Sequence, residues 1–179
     1  MIDGRVIDRQ LHYGKRDTRM SLRLEDIELI KQLKHKYWRC IDTGDVASLK
    51  DVFTEDITCV YIGGTYHWKF EGRDNMLATV AAAFHEKAVA CHTGHHPEIE
   101  VQTDSTATGI WYLTDEFWDF DKMLYTKGSA YYRDRYVKRS GRWQIAHTGY
   151  ERVYEIVDPI TKMPNLTSHW LKRIPKPAA

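Results

Sequence analysis

The chain has 179 residues, 42 % of them hydrophobic and 28 % charged, with a formal net charge of +1. That size and balance describe one ordinary domain with a real core, not a disordered segment or a membrane-embedded protein; no apolar stretch approaches the ~20 residues of a membrane span. Basic and acidic side chains are interspersed, so there is no electrostatic case for nucleic acid.

In chain order, residues 1–21 mix Arg5, Arg9, Lys15, Arg16 and Arg19 with Asp3, Asp8 and Asp17. Without an apolar run they read as a polar arm, disordered or lying on a neighbouring subunit, and not as a secretory signal. From Leu22 the pattern is helical. Leu24, Ile27, Ile30, Tyr37 and Ile41 recur near the 3.6-residue period, while Lys31, Lys34 and Lys36 fall elsewhere. Ser21 is the expected N-cap, Gly44 the stop, and Asp45 the cap of a short second helix through Val46, Leu49 and Phe53. Ile57–Ile62, Gly63-Gly64 and Tyr66–Phe70 read as a hairpin. A helix carrying Met76, Leu77, Val80, Ala81 and Phe84 follows Gly72.

After Cys91 the signal is almost entirely β. Strands are expected at 97–102, 106–120, 124–138 and 143–155, antiparallel by the length of their connections. Asn165 to Ala179, with Pro175 and Pro177, is expected to lie outside the fold. The domain is set at 22–160, with a tail at 161–179. Helices segregated from long antiparallel strands give an α+β class, with a curved sheet around one pocket. The 12 % aromatic content suits a wide sheet or a pocket for a flat ligand, and cross-strand pairs account for most of it.

Cys40, Cys59 and Cys91 are widely spaced and odd in number, so neither a disulfide framework nor a zinc site is expected, and a reducing cytoplasm is the natural setting. Strand alternation puts Trp111, Leu113, Asp115 and Phe117 on one face. A carboxylate in that company either faces solvent, pairs with an arginine, or has a chemical role. His92 opens the richest histidine cluster, His92-Thr93-Gly94-His95-His96-Pro97. With no CxxC and no partner Glu on a helix, the cluster is a weak metal motif. The sharper reading is a dyad in which Asp115 orients His92 for proton transfer; the plainer one is a structural histidine among surface ones. Tyr37 and Asp42, about 140° apart on an α-helix, share a narrow face only if the helix end unwinds. Tyr37 falls on the apolar stripe as a core tyrosine would, and Asp42 opposes the helix dipole. Arg152 alternates with Tyr150 and Tyr154 and alone reads as a solvated strand arginine.

Four segments in register carry a resemblance: Ile30–Asp42; His92-Thr93-Gly94-His95 with Pro97-Glu98-Ile99; Ala107–Asp115; and Gly141–Trp143 through Thr148–Tyr154. Over about residues 22–156 the chain resembles the SnoaL-like branch of the nuclear transport factor 2-like superfamily, and within it the bile-acid 7α-dehydratases. The resemblance implies a cone-shaped α+β barrel of curved antiparallel sheet packed around N-terminal helices. It also implies no metal, no organic cofactor and a homotrimer. Its catalytic positions match Tyr37, Asp42, His92, Asp115 and Arg152. With Trp111, Phe117 and His96 as expected substrate-binding residues, it implies a dehydratase acting on an apolar, polycyclic, hydroxylated 3-oxo-4-ene steroid. His92 would be base and then acid, Asp115 its partner, and Tyr37 the oxyanion donor. Asp42 would position Tyr37 or bind the leaving hydroxyl, and Arg152 would hold Asp42 or the substrate's polar end. A ketosteroid-type isomerase or polyketide cyclase would use the same enolate chemistry, and a ligand-binding or association domain is the non-catalytic alternative. His96 stands where the family pattern has Thr, and the Tyr61–Phe70 hairpin shows little similarity to it.

Overall fold

The first long apolar stripe forms α1 (Leu24–Thr43), followed by α2 (Val46–Leu49), β1 (Phe53–Ile62), β2 (His67–Glu71) and α3 (Arg73–Ala83). Four long strands follow, β3 (Ala88–Val101), β4 (Thr106–Asp119), β5 (Leu124–Arg139) and β6 (Arg142–Pro159), then a 3-10 turn at Leu171–Arg173. These elements come from a computed structural model, which describes residues 23–173. α1 begins beyond Ser21, which lies outside the described residues, and Arg23 occupies its cap position. Gly44 ends it in the left-handed region (φ 65°), where a side chain would be strained. The Asp45 carboxylate caps α2 through the Ser48 amide, 3.1 Å.

The six strands form one curved sheet in the order β2–β1–β6–β5–β4–β3, with the helices packed against it, an α+β fold as expected. Two expectations need correction. The sheet is mixed, because β1 runs parallel to β6 while every other pair is antiparallel. It is also open, with β2 and β3 as edges, and does not close into a barrel. Connection lengths could not reveal the parallel pair, since β1 and β6 lie at opposite ends of the domain sequence. β3 extends back to Ala88, so the histidine cluster lies within a strand and not in a segment leading into one. The tail is not wholly outside the fold either: the His169 ring bonds the Ala88 carbonyl oxygen at 2.9 Å, and Leu171 is buried. No helix among the described residues is long and apolar enough to cross a membrane. Cys40 and Cys59 are buried, Cys91 is exposed, and all three are free thiols.

The core lies between α1 and the sheet, built on Ile30, Tyr37, Trp38, Phe53, Trp111, Leu113 and Ile145. Lys34, read from sequence as off the apolar stripe, is inside it. Its ammonium lies 2.8 Å from Asp134 and 3.8 Å from the centre of the Tyr132 ring, both groups of the ion pair being fully buried. Burial pushes the Lys34 pKa down against the pull of Asp134. A stripe at positions 30, 34, 37, 38 and 41 has helical spacing; a lysine joins it because a carboxylate and aromatic faces receive its charge.

A second buried carboxylate anchors the other end of α1. Asp26 accepts from Lys138 Nζ at 2.8 Å and Trp143 Nε1 at 2.9 Å, and pairs with Arg23 at 2.6 Å. The Lys138 hydrogen bond above all, helped by the Trp143 N–H, holds its pKa below the usual 3.8. A depressed carboxylate pKa stabilises the fold above the unfolded value and ceases to do so as pH falls through the folded one. Asp26→Asn is therefore expected to lose roughly 1.5–3 kcal/mol near neutrality, the range for hydrogen bonds to charged groups. The gap from the unsubstituted protein should close well below pH 3.8. Urea unfolding across that range checks it; a gap independent of pH would remove the charge from the account.

Candidate active site

The site begins with a close approach of helix to strand. A Cβ on Gly94 would fall 1.8 Å from the Trp38 indole, so only glycine lets α1 lie this close to β3. From Trp38 to Asp42 is one helical turn, about 6 Å along the axis. From Gly94 back to His92 is two strand residues, about 6.7 Å. The matched steps bring Asp42 onto His92. Asp42 Oδ2 accepts the His92 backbone N–H at 2.9 Å, and Oδ1 lies 2.6 Å from Nδ1. That backbone N–H points outward from an edge strand, where no neighbouring strand competes for it.

A carboxylate only accepts, so Nδ1 carries the proton and the neutral ring presents Nε2 as its basic nitrogen. Among the described residues Nε2 makes no hydrogen bond. The His92 side chain is 12 % exposed, and the dyad borders an open cleft of about 430 Å³ lined by His35, Trp38, Arg39, Asp42, Thr43, His92, Thr93 and Gly94. Phe84 (5.9 Å between ring centres) flanks the imidazole, and Phe117 packs on Phe84 (5.7 Å).

The expected His92–Asp115 pairing is not the one formed. The two residues are directly opposite on β3 and β4, but Asp115 is claimed by Arg152. Arg152 grips both Asp115 oxygens, Nη1 on Oδ1 and Nη2 on Oδ2, the latter at 2.9 Å. Burial would lower the Arg152 pKa, but Asp115's hydrogen bonds and charge outweigh it, and the guanidinium is held above its ordinary value. Arg152 therefore holds Asp115, not Asp42.

Two backbone features allow the grip. Arg152 is on β6 and Asp115 on β4, with β5 between them. The β5 residue opposite Asp115 is Gly128, where a Cβ would meet the Tyr154 carbonyl oxygen at 2.5 Å and Arg152 Nη1 at 3.2 Å. In addition, Ser129 pairs with Tyr154 but Ala130 with Arg152, leaving Val153 as a bulge. Arg152 faces inward in regular alternation with Tyr150, but the bulge breaks the pattern beyond it, so Tyr154, expected on the same face, is 50 % exposed. The bulge also brings in Glu155, whose Oε2 lies 3.2 Å from Arg152 Nε. Arg152 Nε donates to the Tyr66 hydroxyl at 3.2 Å, and Tyr66 shares a 2.7 Å hydrogen bond with the Tyr150 hydroxyl.

Tyr37 is apart from this pair, 2 % exposed, with its hydroxyl 3.0 Å from that of Tyr61. α1 does not unwind, so Tyr37 and Asp42 diverge and Asp42 positions His92 instead. Burial first, then Tyr61, raises the Tyr37 pKa and keeps the phenol protonated. Trp111 is core, donating Nε1–H to Tyr136 at 2.8 Å. His96 lies exposed in a β3 bulge with φ 49°, its Nδ1 2.7 Å from that of His95, away from the dyad. Sequence reading missed Phe84, Tyr66 and Glu155 as neighbours of the site. The one signal was a mid-strand glycine, Gly128, which marks a close approach. Among the described residues no three His, Cys, Asp or Glu side chains are grouped to hold a metal ion.

A family model described as a SnoaL-like domain matches residues 22–149. The chain belongs to the SnoaL-like family. Among solved structures this SnoaL-like protein is similar to a variant of Rv3472, a Mycobacterium tuberculosis protein of unknown function, at 25 % identity and TM-score 0.62 over 72 % of each chain. It is also similar to a candidate scytalone dehydratase from Novosphingobium aromaticivorans, at 17 % identity and TM-score 0.65, covering 79 % of this chain and 97 % of that one. A third is the type-3 LinA hexachlorocyclohexane dehydrochlorinase from Novosphingobium barchaimii, at 16 % identity and TM-score 0.67, covering 82 % and 97 %. The last two likenesses are of fold.

The buried pair makes a direct prediction. Arg152→Ala strands the Asp115 carboxylate and is expected to cost about 3–5 kcal/mol. Combining Arg152→Met with Asp115→Leu removes both charges and should recover part of that loss. A double-mutant cycle read by denaturant unfolding checks it, and additive losses would show that the two side chains do not depend on each other.

Proposed function

We propose that this SnoaL-like protein is a dehydratase. It eliminates water from a flat, hydroxylated substrate of the bile-acid-type 3-oxo-4-ene steroid class by proton transfer. The observation that carries the reading is the His92–Asp42 dyad, with Nδ1 and the backbone N–H both held and Nε2 left unbonded beside a cleft. Nε2 takes a proton from a carbon activated by the enone. The C–H electron pair moves into the ring system as a dienolate, and Asp42 stabilises the imidazolium. The imidazolium then returns the proton to the departing hydroxyl, the C–O bond breaks, and water leaves.

The dienolate oxygen needs a donor. Arg152 is engaged by Asp115 and Tyr66, and the Tyr37–Tyr61 pair is the donor assigned here. The two hydroxyls of that pair lie 3.0 Å apart. The Phe84 and Phe117 rings offer an apolar wall for a flat substrate. The names of two fold neighbours, a dehydratase and a dehydrochlorinase, are of eliminations and fit the same chemistry. The four sequence segments that resemble bile-acid 7α-dehydratases point to the steroid class.

Purified protein incubated with hydroxylated 3-oxo-4-ene steroids should give a product lighter by one water in mass spectrometry. His92→Ala should lower kcat by about 10²–10⁴-fold in a protein that stays folded, the usual worth of a general base. Asp42→Asn should also be impaired, because the amide no longer favours the imidazolium. Near-normal turnover in His92→Ala would overturn the assignment. A double-bond shift without loss of mass would indicate an isomerase.

A further inference from the structure

The β1–β2 hairpin is attached to the candidate site through side chains, and that attachment has no part in the elimination chemistry. β2 is an edge strand, and His67, Trp68, Lys69 and Glu71 on it are exposed. Its pairing with β1 covers only Thr58–Ile62 against His67–Glu71. The turn is closed by one backbone bond, from the Gly63 N–H to the Tyr66 carbonyl oxygen at 2.9 Å. The Tyr66 ring folds back under the turn, where a Cβ on Gly63 would meet it at 2.2 Å. Beyond that the tip is tied down at two points. The Gly64 N–H donates to Glu155 Oε1 at 3.2 Å, and the Tyr66 hydroxyl meets Tyr150 and Arg152.

Glu155 is the common member. Its side chain is 7 % exposed, with one oxygen on the hairpin amide and the other beside Arg152 Nε. A buried carboxylate is costly unless it is paired, and Asp115 already neutralises Arg152. A surface strand position would avoid this second carboxylate, yet the Val153 bulge turns Glu155 inward to supply it.

We propose that the hairpin tip, residues 63–66, is a lid over the Arg152–Asp115 end of the candidate site, and that Glu155 is the latch that couples its closed position to that pair. This rests on the reading of His92 and its neighbours as the reacting site. Glu155 is a positioning residue. When the tip lifts, the Gly64 and Tyr66 bonds break together and Arg152 loses its Tyr66 contact. When it closes, the Tyr66 ring completes the wall beside Arg152. The hairpin shows little similarity to the family pattern, so Tyr66 and its neighbours are placed to set which substrate is admitted.

Amide hydrogen exchange on the full chain tests the latch without a substrate. Glu155→Ala should speed exchange at residues 63–66 about tenfold, the loss expected for a hydrogen bond to a charged group, while β4 and β5 exchange as in the unsubstituted protein. Glu155→Gln keeps an oxygen for the Gly64 N–H and should restore most of the protection. Tyr66→Phe, which keeps the ring and removes the second tie, should loosen the same residues. With a hydroxylated 3-oxo-4-ene steroid, Glu155→Ala should raise KM more than it lowers kcat. Unchanged exchange at 63–66, or faster exchange spread equally over β4 and β5, overturns the proposal. If the unsubstituted protein does not dehydrate the steroid, the functional reading fails while the exchange result still decides the latch.

Discussion

Arg152 reaches Asp115 by passing over a strand, and the rest of the site depends on that crossing. The two residues are separated by β5, and Gly128 leaves the space. The ion pair is nearly dry, with the two side chains 8 % and 7 % exposed. Removing one partner from such a pair costs more than the pair contributes, because the other charge is then stranded. The arrangement is therefore held more firmly by what its loss would cost than by its net strength. It also decides Asp115's partner: both of its oxygens are turned to the guanidinium, and the imidazole of His92 is held by Asp42.

His92 accordingly takes its carboxylate from the other side, from a helix. Asp42 sits in the last turn of α1, where a negative charge opposes the helix dipole, an effect typically worth about 0.3–1 kcal/mol. Two charge-strengthened contacts to one residue offset it. Both depend on the distance between α1 and β3, and that distance is set by Trp38 lying flat over Gly94. The same tryptophan packs edge-on against Trp111 at 5.3 Å between ring centres. A residue expected in the substrate site thus serves it indirectly, as backing for the helix that carries the dyad's acid.

Much of this was legible in the residues, and the failures have physical reasons. Periods of 3.6 and 2 mark α1, β4 and β5 because one face of each is buried. The same alternation rightly placed Asp115 with Trp111 and Leu113 on the buried face. It failed on β6, where one extra residue at Val153 reverses the facing of everything beyond it and no side chain announces the bulge. It failed differently at Lys34, whose burial depends on Asp134 a hundred residues away. The resemblance brought Tyr37, Asp42, His92, Asp115 and Arg152 into one set. It named Asp115 as the histidine's acid where Asp42 holds that place, because the choice depends on distances between elements that no single segment records.

The resulting division of charge bears on where a substrate's oxygen can lie. Around the site stand three carboxylates, Asp42, Asp115 and Glu155, with the guanidinium of Arg152 among the buried ones and that of Arg39 on the cleft beside Asp42. An imidazolium is welcome beside Asp42, whereas an enolate oxygen near Asp115 or Glu155 would meet like charge. Three of the five Arg152 N–H groups already face Asp115 and Tyr66. The phenols are different. Burial raises the pKa of Tyr37, Tyr61 and Tyr150, so each keeps its proton and remains a donor. In the elimination proposed above, the oxyanion is assigned to the Tyr37–Tyr61 pair and the reacting carbon to His92 Nε2. In that proposal the buried acids favour one orientation by repulsion, and the tyrosines stabilise it by hydrogen bonding.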